Sequence, residues 1–391
     1  MILSKKQEEG LKIAIQRYRN GEKYTCIAGY AGAGKSTLVR FIVEALGLDE
    51  EDICYATFTG KAAQVLLKKG NKNVRTLHKL LYKSIPKPDG KFIRIPVPDI
   101  PYKIVIVDEV SMAPKTLMKL LFNYPVHVIC LGDPFQLPTI DKEEDNKLLE
   151  HPHIFLDEIM RQAAESEIIR LTMAIRENRP LADAVTENKE VLIYNKMDLN
   201  TGMLRWADQI LVGTNATRIS INNQMRQMMG RGPRPEDGDK IICLRNYWDI
   251  QADNEDPLVN GTIGYLQDSF KTFVQLPKPL GGSQIDITTG NFLSDSEATF
   301  GSLNMDTQMI LTGQKCVDWK TAYKVNKNPK TAGLLPLEFT YGYAITCHKA
   351  QGSEWDKVLV LEEKFPFNRE EHARWLYTAC TRASEKLVLI R

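Results

Sequence analysis

Along the chain, short apolar runs alternate with stretches whose apolar residues recur at helical spacing. Leu11, Ile15 and Tyr18 fall on one face of residues 4–19. Ser4 followed by Gln7 has the form of a capping box, so this segment predicts an amphipathic helix. TCIAGY (25–30), ICYATF (53–58), KIVIVD (103–108), HVICLG (127–132) and IFLD (154–157) are near-continuous apolar runs of strand length. Helical stretches such as 36–46 and 61–68 lie between them. Strands apolar on both faces and joined through helices predict a parallel, doubly wound α/β sheet. The pattern recurs later. QILVGTN (209–215) is a strand followed by a helix, and KVLVLE (357–362) and KLVLI (386–390) enclose a helix over 369–383.

Two segments break the alternation. Residues 83–102 carry Pro86, Pro88, Pro96, Pro98 and Pro101 and a turn-like PDG at 88–90. They predict a small hairpin, with Lys83, Lys87, Lys91 and Arg94 outnumbering Asp89 and Asp99. From 233 to 336, KIICL, GTIGYL, TFVQL and QMILTG read as short strands separated by Gly, Pro, Asp and Ser. The centre of that stretch, 278–302, is poor in apolar residues and reads as loop. Trp248, Trp319 and Tyr323 are expected to pack this β insert, with stacking on bases as the alternative. The breaks predict one α/β domain over 1–82 and 103–150 and a second over 151–236 and 337–391. The inserts are then 83–102 and 237–336.

Composition narrows the class. The 391 residues include 51 basic and 49 acidic side chains, with 43% hydrophobic and 26% charged residues. That excludes wholesale disorder, collagen-like repeats and a coiled-coil rod. A net charge of +2 leaves nucleic acid open, because a basic groove can sit in a balanced chain. No apolar run approaches the roughly 18 residues of a membrane span. The start, MILSKKQEEG, lacks an apolar signal core, so a soluble intracellular protein is expected. Cys26, Cys54, Cys130, Cys243, Cys316, Cys347 and Cys380 are widely spaced without C-x-x-C, which predicts buried free thiols and no cysteine metal site.

Three motifs carry chemistry. Gly29-Tyr-Ala-Gly32-Ala33-Gly34-Lys35-Ser36 follows a strand and opens a helix, the context of a phosphate-binding loop. Its backbone N–H groups and helix N-terminus suit phosphates, Lys35 would reach the β- and γ-phosphates, and Ser36 would ligate Mg²⁺. Next, Ile104-Val-Ile-Val-Asp108-Glu109 ends a strand in two carboxylates, where open α/β sheets bind ligands. Asp108 would hold Mg²⁺, and Glu109 would orient and deprotonate the attacking water. Third, Gln136 in LGDPFQLP, again after a strand, can sense the γ-phosphate.

These motifs, in this order, resemble superfamily 1 helicases, and the resemblance extends over almost the whole chain. Gln7 in SKKQEEGL is similar to the family's adenine-reading Gln motif. ATFTGKAA (56–63), RTLHKLL (75–81), LDEIMRQ (156–162), YGYAITCHKAQGSEWDKVLV (341–360) and LYTACTRASEKLVLI (376–390) resemble further family motifs. GDKIICLRN (238–246) with VNGTIG (259–264) resembles the SH3-like insert of the RecD-like group, and the size and short Pro-rich insert look most like the phage Dda-type enzymes.

The resemblance implies two RecA-like domains, a pin hairpin and an SH3-like insert. It also implies ATP and Mg²⁺ as cofactors, with Thr37, Gly352 and Glu354 joining the nucleotide contacts. Arg161 and Arg382 become arginine fingers. DNA contacts fall on Thr57, Thr59, Lys61, Thr76, His78, Thr214, Asn215, Thr346, His348, Lys349 and Gln351, with Phe92 near the pin tip. The implied activity is 5′-to-3′ movement on single-stranded DNA with duplex unwinding. The implied setting is replication, recombination or repair in the cytoplasm of a phage-infected or bacterial cell. The partners would be single-stranded DNA, strand junctions and other replication proteins, with the enzyme monomeric and away from membranes. An RNA helicase, a translocase that does not unwind and an ATP-switched binding module remain as alternatives.

Overall fold

The computed structural model describes residues 3–86, 92–138, 141–185, 188–253, 257–278, 281–327, 331, 333–364 and 368–391. The side chains of 84–86, 92, 93, 142, 161, 162 and 248 are outside this description. The chain forms two compact units. One comprises Met1–Lys83, Arg94–Leu211 and Cys347–Arg391, and the other Ser84–Ile93 and Val212–Thr346.

The first unit opens with the helix Lys5–Arg19. Its capping box forms as the sequence predicts: the Gln7 N–H bonds the Ser4 hydroxyl and the Ser4 N–H bonds the Gln7 side chain. Two parallel sheets follow. The six strands of the first run in the order Val74–Thr76, Ile53–Thr57, Ile104–Val107, His127–Gly132, Tyr24–Gly29 and Ile154–Leu156. Every pairing is parallel. His127–Gly132 is buried along its whole length, as a strand covered by helices on both faces must be. Ile27, Leu38, Ile42, Ile104 and Ile106 fill the core on one face, and Cys54, Leu77, Val105, Leu117 and Val128 fill it on the other. In the second sheet Gln209–Val212, Trp355–Leu361, Ala383–Ile390 and Val191–Tyr194 pair in parallel. The helix Arg369–Cys380 is three residues shorter than predicted, because Ala383 already pairs with Trp355.

The second unit holds an antiparallel sheet in the order Thr299–Asp306, Gln284–Ser294, Ile263–Gln275, Lys240–Cys243 and Phe339–Tyr341. It overturns the loop expected over 278–302. Gln284–Ser294 buries Ile285, Ile287, Thr288, Gly290, Phe292 and Ser294, while Asp286, Thr289, Asn291 and Leu293 are more open. A strand with one covered face needs an apolar residue only at alternate positions, so low apolar content does not exclude it. QMILTG also departs from expectation, forming the helix Thr307–Thr312. The Asp306 side chain caps it by accepting from the Met309 N–H, and Gly313 ends it at φ 73°. A short apolar run does not separate strand from buried helix; these caps do. Trp319 and Tyr323 are not packing residues either, being 73% and 60% exposed. Their helix, Trp319–Lys327, buries only Val325.

Candidate active site

Adjacent parallel strands of the six-stranded sheet deliver the three motifs side by side. Tyr24–Gly29 ends in the glycine-rich loop, its neighbour His127–Gly132 ends in Asp133, and the next strand, Ile104–Val107, ends in Asp108 and Glu109. Strand spacing of about 4.8 Å sets their separation.

The loop runs directly into the helix Lys35–Leu46. Gly34 takes φ 76°, and a Cβ there would lie 2.5 Å from Gln7 Nε2, so only glycine fits. Gln7 is 1% exposed, and its Nε2 donates to the Gly34 carbonyl at 3.2 Å. With its oxygen accepting from Ser4, the amide ties the first helix to the loop. Lys35 Nζ donates to the carbonyls of Gly29 at 2.7 Å and Tyr30 at 3.1 Å. Ala33 is buried, Gly32 and Thr37 are half-buried, and Ser36 is exposed.

The Asp108 carboxylate accepts from the Glu109 N–H at 2.8 Å. Burial, then the neighbouring Glu109 charge, push its carboxyl upward, and Lys35 opposes them. Glu109 sits in the left-handed region at φ 50°, ψ 46°, a strained placement for a residue with a side chain. That turn directs it to Arg382, whose Nη1 lies 3.8 Å from Glu109 Oε1. Gln136 fits between them. With its amide oriented to satisfy both neighbours, the nitrogen donates to Glu109 Oε2 at 3.0 Å and the oxygen accepts from Arg382 Nη2 at 3.0 Å. Arg382 is 5% exposed and also donates to the carbonyls of Thr378 and Ser353, each at 3.2 Å. Glu109, Gln136 and Arg382 thus form one hydrogen-bonded group, which the sequence named one by one without connecting.

Several further residues surround this group. Asp133, 2% exposed, accepts from the Tyr377 hydroxyl at 2.6 Å, and that hydroxyl accepts from the Ala31 N–H at 2.9 Å. Burial raises the Asp133 carboxyl above the usual range. Thr378 Oγ1 accepts from the Leu137 N–H at 2.9 Å. Arg176 lies 3.7 Å from the centroid of the Tyr30 ring. The signal for Asp133 was present, a carboxylate just past a strand edge inside LGDPFQLP. Nothing local singled out Tyr377 or Arg176. A cavity of about 230 Å³ beside Asp133 and Gln136 is lined also by Ser111, Asn146 and Arg374.

The remaining candidates divide. Thr57 is fully buried, its hydroxyl donating to the Thr59 carbonyl at 2.9 Å. Thr59 and Thr76 cap the helices Gly60–Lys68 and Leu77–Leu81. Lys61 is half-buried on the first turn of Gly60–Lys68. His78 lies among Phe58 and Tyr82, and burial, with Arg94 adding, pushes it down to about 4. Burial lowers His348 as well, and Lys349 beside it is half-buried. Gln351, 5% exposed, donates to the Leu137 carbonyl at 2.6 Å. Gly352 takes φ 72° against Ala62 and Thr59, and Glu354 pairs with Lys69 at 3.2 Å. In the second unit Thr214 caps the helix Asn215–Met228, Asn215 is exposed and Thr346 is half-buried. The side chains of Arg161 and Phe92 lie outside the described residues. All seven cysteines are free, six of them buried. Among the described residues no His, Cys, Asp and Glu group of metal-site size occurs, and no helix is long and apolar enough to cross a membrane.

An AAA domain model matches residues 3–194, and a UvrD-like helicase C-terminal domain model matches 341–390. The chain is 27% identical over 400 residues to the ATP-dependent RecD2 DNA helicase of Deinococcus radiodurans, covering 94% of this chain and 46% of that one. It is 29% identical over 193 residues to the ATP-dependent DNA helicase Dda of Enterobacteria phage T4, covering 47% of this chain and 42% of that one. The chain therefore spans less than half of each of these two helicases. An uncharacterised protein of Acanthamoeba polyphaga mimivirus matches at 23% identity across 99% of both chains. Among solved structures, two coordinating Pif1 helicases at forked duplex DNA superpose with a TM-score of 0.52 at 18% identity, covering 100% of this chain and 92% of that one. Pif1 from Bacteroides with ADP-AlF3 and single-stranded DNA superposes with a TM-score of 0.50, also at 18% identity and with the same coverage. Fold and loop define a P-loop nucleoside triphosphatase built on two RecA-like sheets. Through these two domain models and these relatives the chain is similar to superfamily 1 helicases of the RecD, Dda and Pif1 type.

Proposed function

We propose that this chain is an ATP-dependent DNA helicase that moves 5′-to-3′ on single-stranded DNA and separates the duplex ahead of it, in phage replication, recombination or repair. The observation that carries the mechanism is the group formed by Glu109, Gln136 and Arg382. In it the general base is held by a guanidinium through an amide. Arrival of a γ-phosphate gives Arg382 a stronger anionic partner, which frees Glu109 to orient water, and Gln136 passes that change between them. Hydrolysis then depends on the closure that brings Arg382 to the nucleotide, with Arg161 as a second finger.

Ser36 and Asp108 suit Mg²⁺: a hydroxyl on the first helical turn and a carboxylate at the strand edge, near Lys35, are an oxygen set that leaves positions for phosphates and water. When bound, Mg²⁺ would neutralise developing charge on the phosphates. The domain division proposed is two RecA-like domains, 1–82 with 103–150 and 151–236 with 337–391. They carry 83–102 as a pin with Phe92 near its tip and 237–336 as an SH3-like insert. The relatives named as DNA helicases, and the solved Pif1 complexes with single-stranded and forked DNA, support DNA as the track. Lys35→Ala tests the nucleotide site: DNA-stimulated ATPase should fall at least a hundredfold, and near-normal turnover would refute the assignment.

A further inference from the structure

The helix Trp319–Lys327 belongs to none of the motifs above. Val325 is fully buried and packs with Leu276, Ile285 and Ile287, which fixes the inner face. At about 100° per residue, Trp319 and Tyr323 fall on the outer side, one turn apart. They are 73% and 60% exposed. Large aromatic rings contribute heavily to burial, so two of them aligned and open on one helix are a surface that fits a ligand. Lys327, Lys320 and Lys324 occupy the adjoining arc, and all three are exposed. Lys320 Nζ lies 5.9 Å from the Trp319 ring centroid, and Lys327 Nζ the same distance from that of Tyr323. Among the described residues none of these lysines forms a salt bridge, though the charge of Lys320 acts on Asp318. The carboxylate that precedes them, Asp318, accepts from the Thr321 N–H and hydroxyl, each at 2.9 Å.

We infer that the aromatic stripe Trp319–Tyr323 and the lysine stripe beside it form a binding platform for single-stranded DNA, separate from the motif residues. The inference rests on the helicase reading, which supplies the strand. Two open rings about 6 Å apart along the helix accept unpaired bases of any sequence, while the lysines meet the phosphates on one side. A duplex offers no free base faces to the rings. A strand held here is held by stacking and charge, without base-edge readout, as movement along arbitrary sequence requires.

The test uses the full chain and a fluorescein-labelled oligothymidine in anisotropy titrations. W319A/Y323A should bind at least about tenfold more weakly, and W319F/Y323F should bind within about threefold of the unaltered chain. K320E/K324E/K327E should lower the slope of log Kd against log salt by about 2, since each phosphate contact on a single strand contributes about 0.7. Thermal unfolding and ATPase without DNA should be unchanged in all three variants, because the altered side chains are exposed and outside the nucleotide site. Oligothymidine binding by W319A/Y323A within twofold of the unaltered chain overturns the platform, including the case in which the surface serves an acidic protein. Equal loss on blunt duplex DNA overturns its strand specificity. A failure of the helicase reading looks different: the unaltered chain would show no DNA-stimulated ATPase, whatever the binding titrations give.

Discussion

Arg382 is the residue on which the site turns. Its guanidinium is buried and tied to Gln136, to two carbonyls and, more distantly, to Glu109. Arginine fingers contribute about 10³–10⁵ to turnover, so Arg382→Ala should lower kcat by at least about 10³ in a DNA-stimulated ATPase assay with the KM for ATP little changed. Tyr377 makes a separate prediction. Its hydroxyl donates to buried Asp133 and accepts from Ala31, so Tyr377→Phe leaves both partners without it and should destabilise the fold by about 1–3 kcal/mol in urea unfolding. His78 gives a pH signature. Burial, then Arg94, hold it at about 4 in the folded chain against an ordinary value near 6.5. The folded state therefore favours the neutral ring. That contribution is complete above pH 6.5 and is lost as pH falls from there toward 4. His78→Gln should lose less thermal stability than the unaltered chain between pH 7.5 and 5, and equal losses would contradict the burial account.

At the scale of elements, legibility followed burial. Strands covered on both faces, such as Ile104–Val107 and His127–Gly132, are continuous apolar runs and were read directly. The motif residues at their ends were legible for the same reason, since a strand edge marks where a carboxylate or glycine can reach a ligand. Gln284–Ser294 and Thr299–Asp306 were missed because each covers one face, and polar residues on the other diluted the signal. The hydrogen-bonded group could not be read, because Gln136 and Arg382 meet only through the fold. Gly352 shows how tightly the loops are constrained. It takes φ 72°, and a Cβ would lie 3.0 Å from that of Ala62 and 3.1 Å from Thr59 Oγ1. Gly47 takes φ 62° with open space around it. Gly47→Ala should cost about 1–2 kcal/mol of stability from backbone strain alone, and Gly352→Ala should cost more, as urea unfolding of the pair would show. Equal losses would mean that the crowding at Gly352 relaxes freely.

Taken whole, the molecule reconciles a net charge of +2 with a track of phosphates. Acidic residues such as Asp108, Glu109 and Asp133 gather at the nucleotide edge, whereas Lys320, Lys324 and Lys327 stand open on the antiparallel unit. Electrostatic grip on nucleic acid depends on local phosphate contacts, not on the sum of charges. The most direct test of the account is unwinding of forked duplexes that carry a single tail, with ATP and the full chain, run in parallel on DNA and RNA. A 5′-tailed DNA fork should be unwound and a 3′-tailed one should not, with Lys35→Ala inactive on both. Preference for the 3′ tail, or unwinding of RNA in place of DNA, would contradict it.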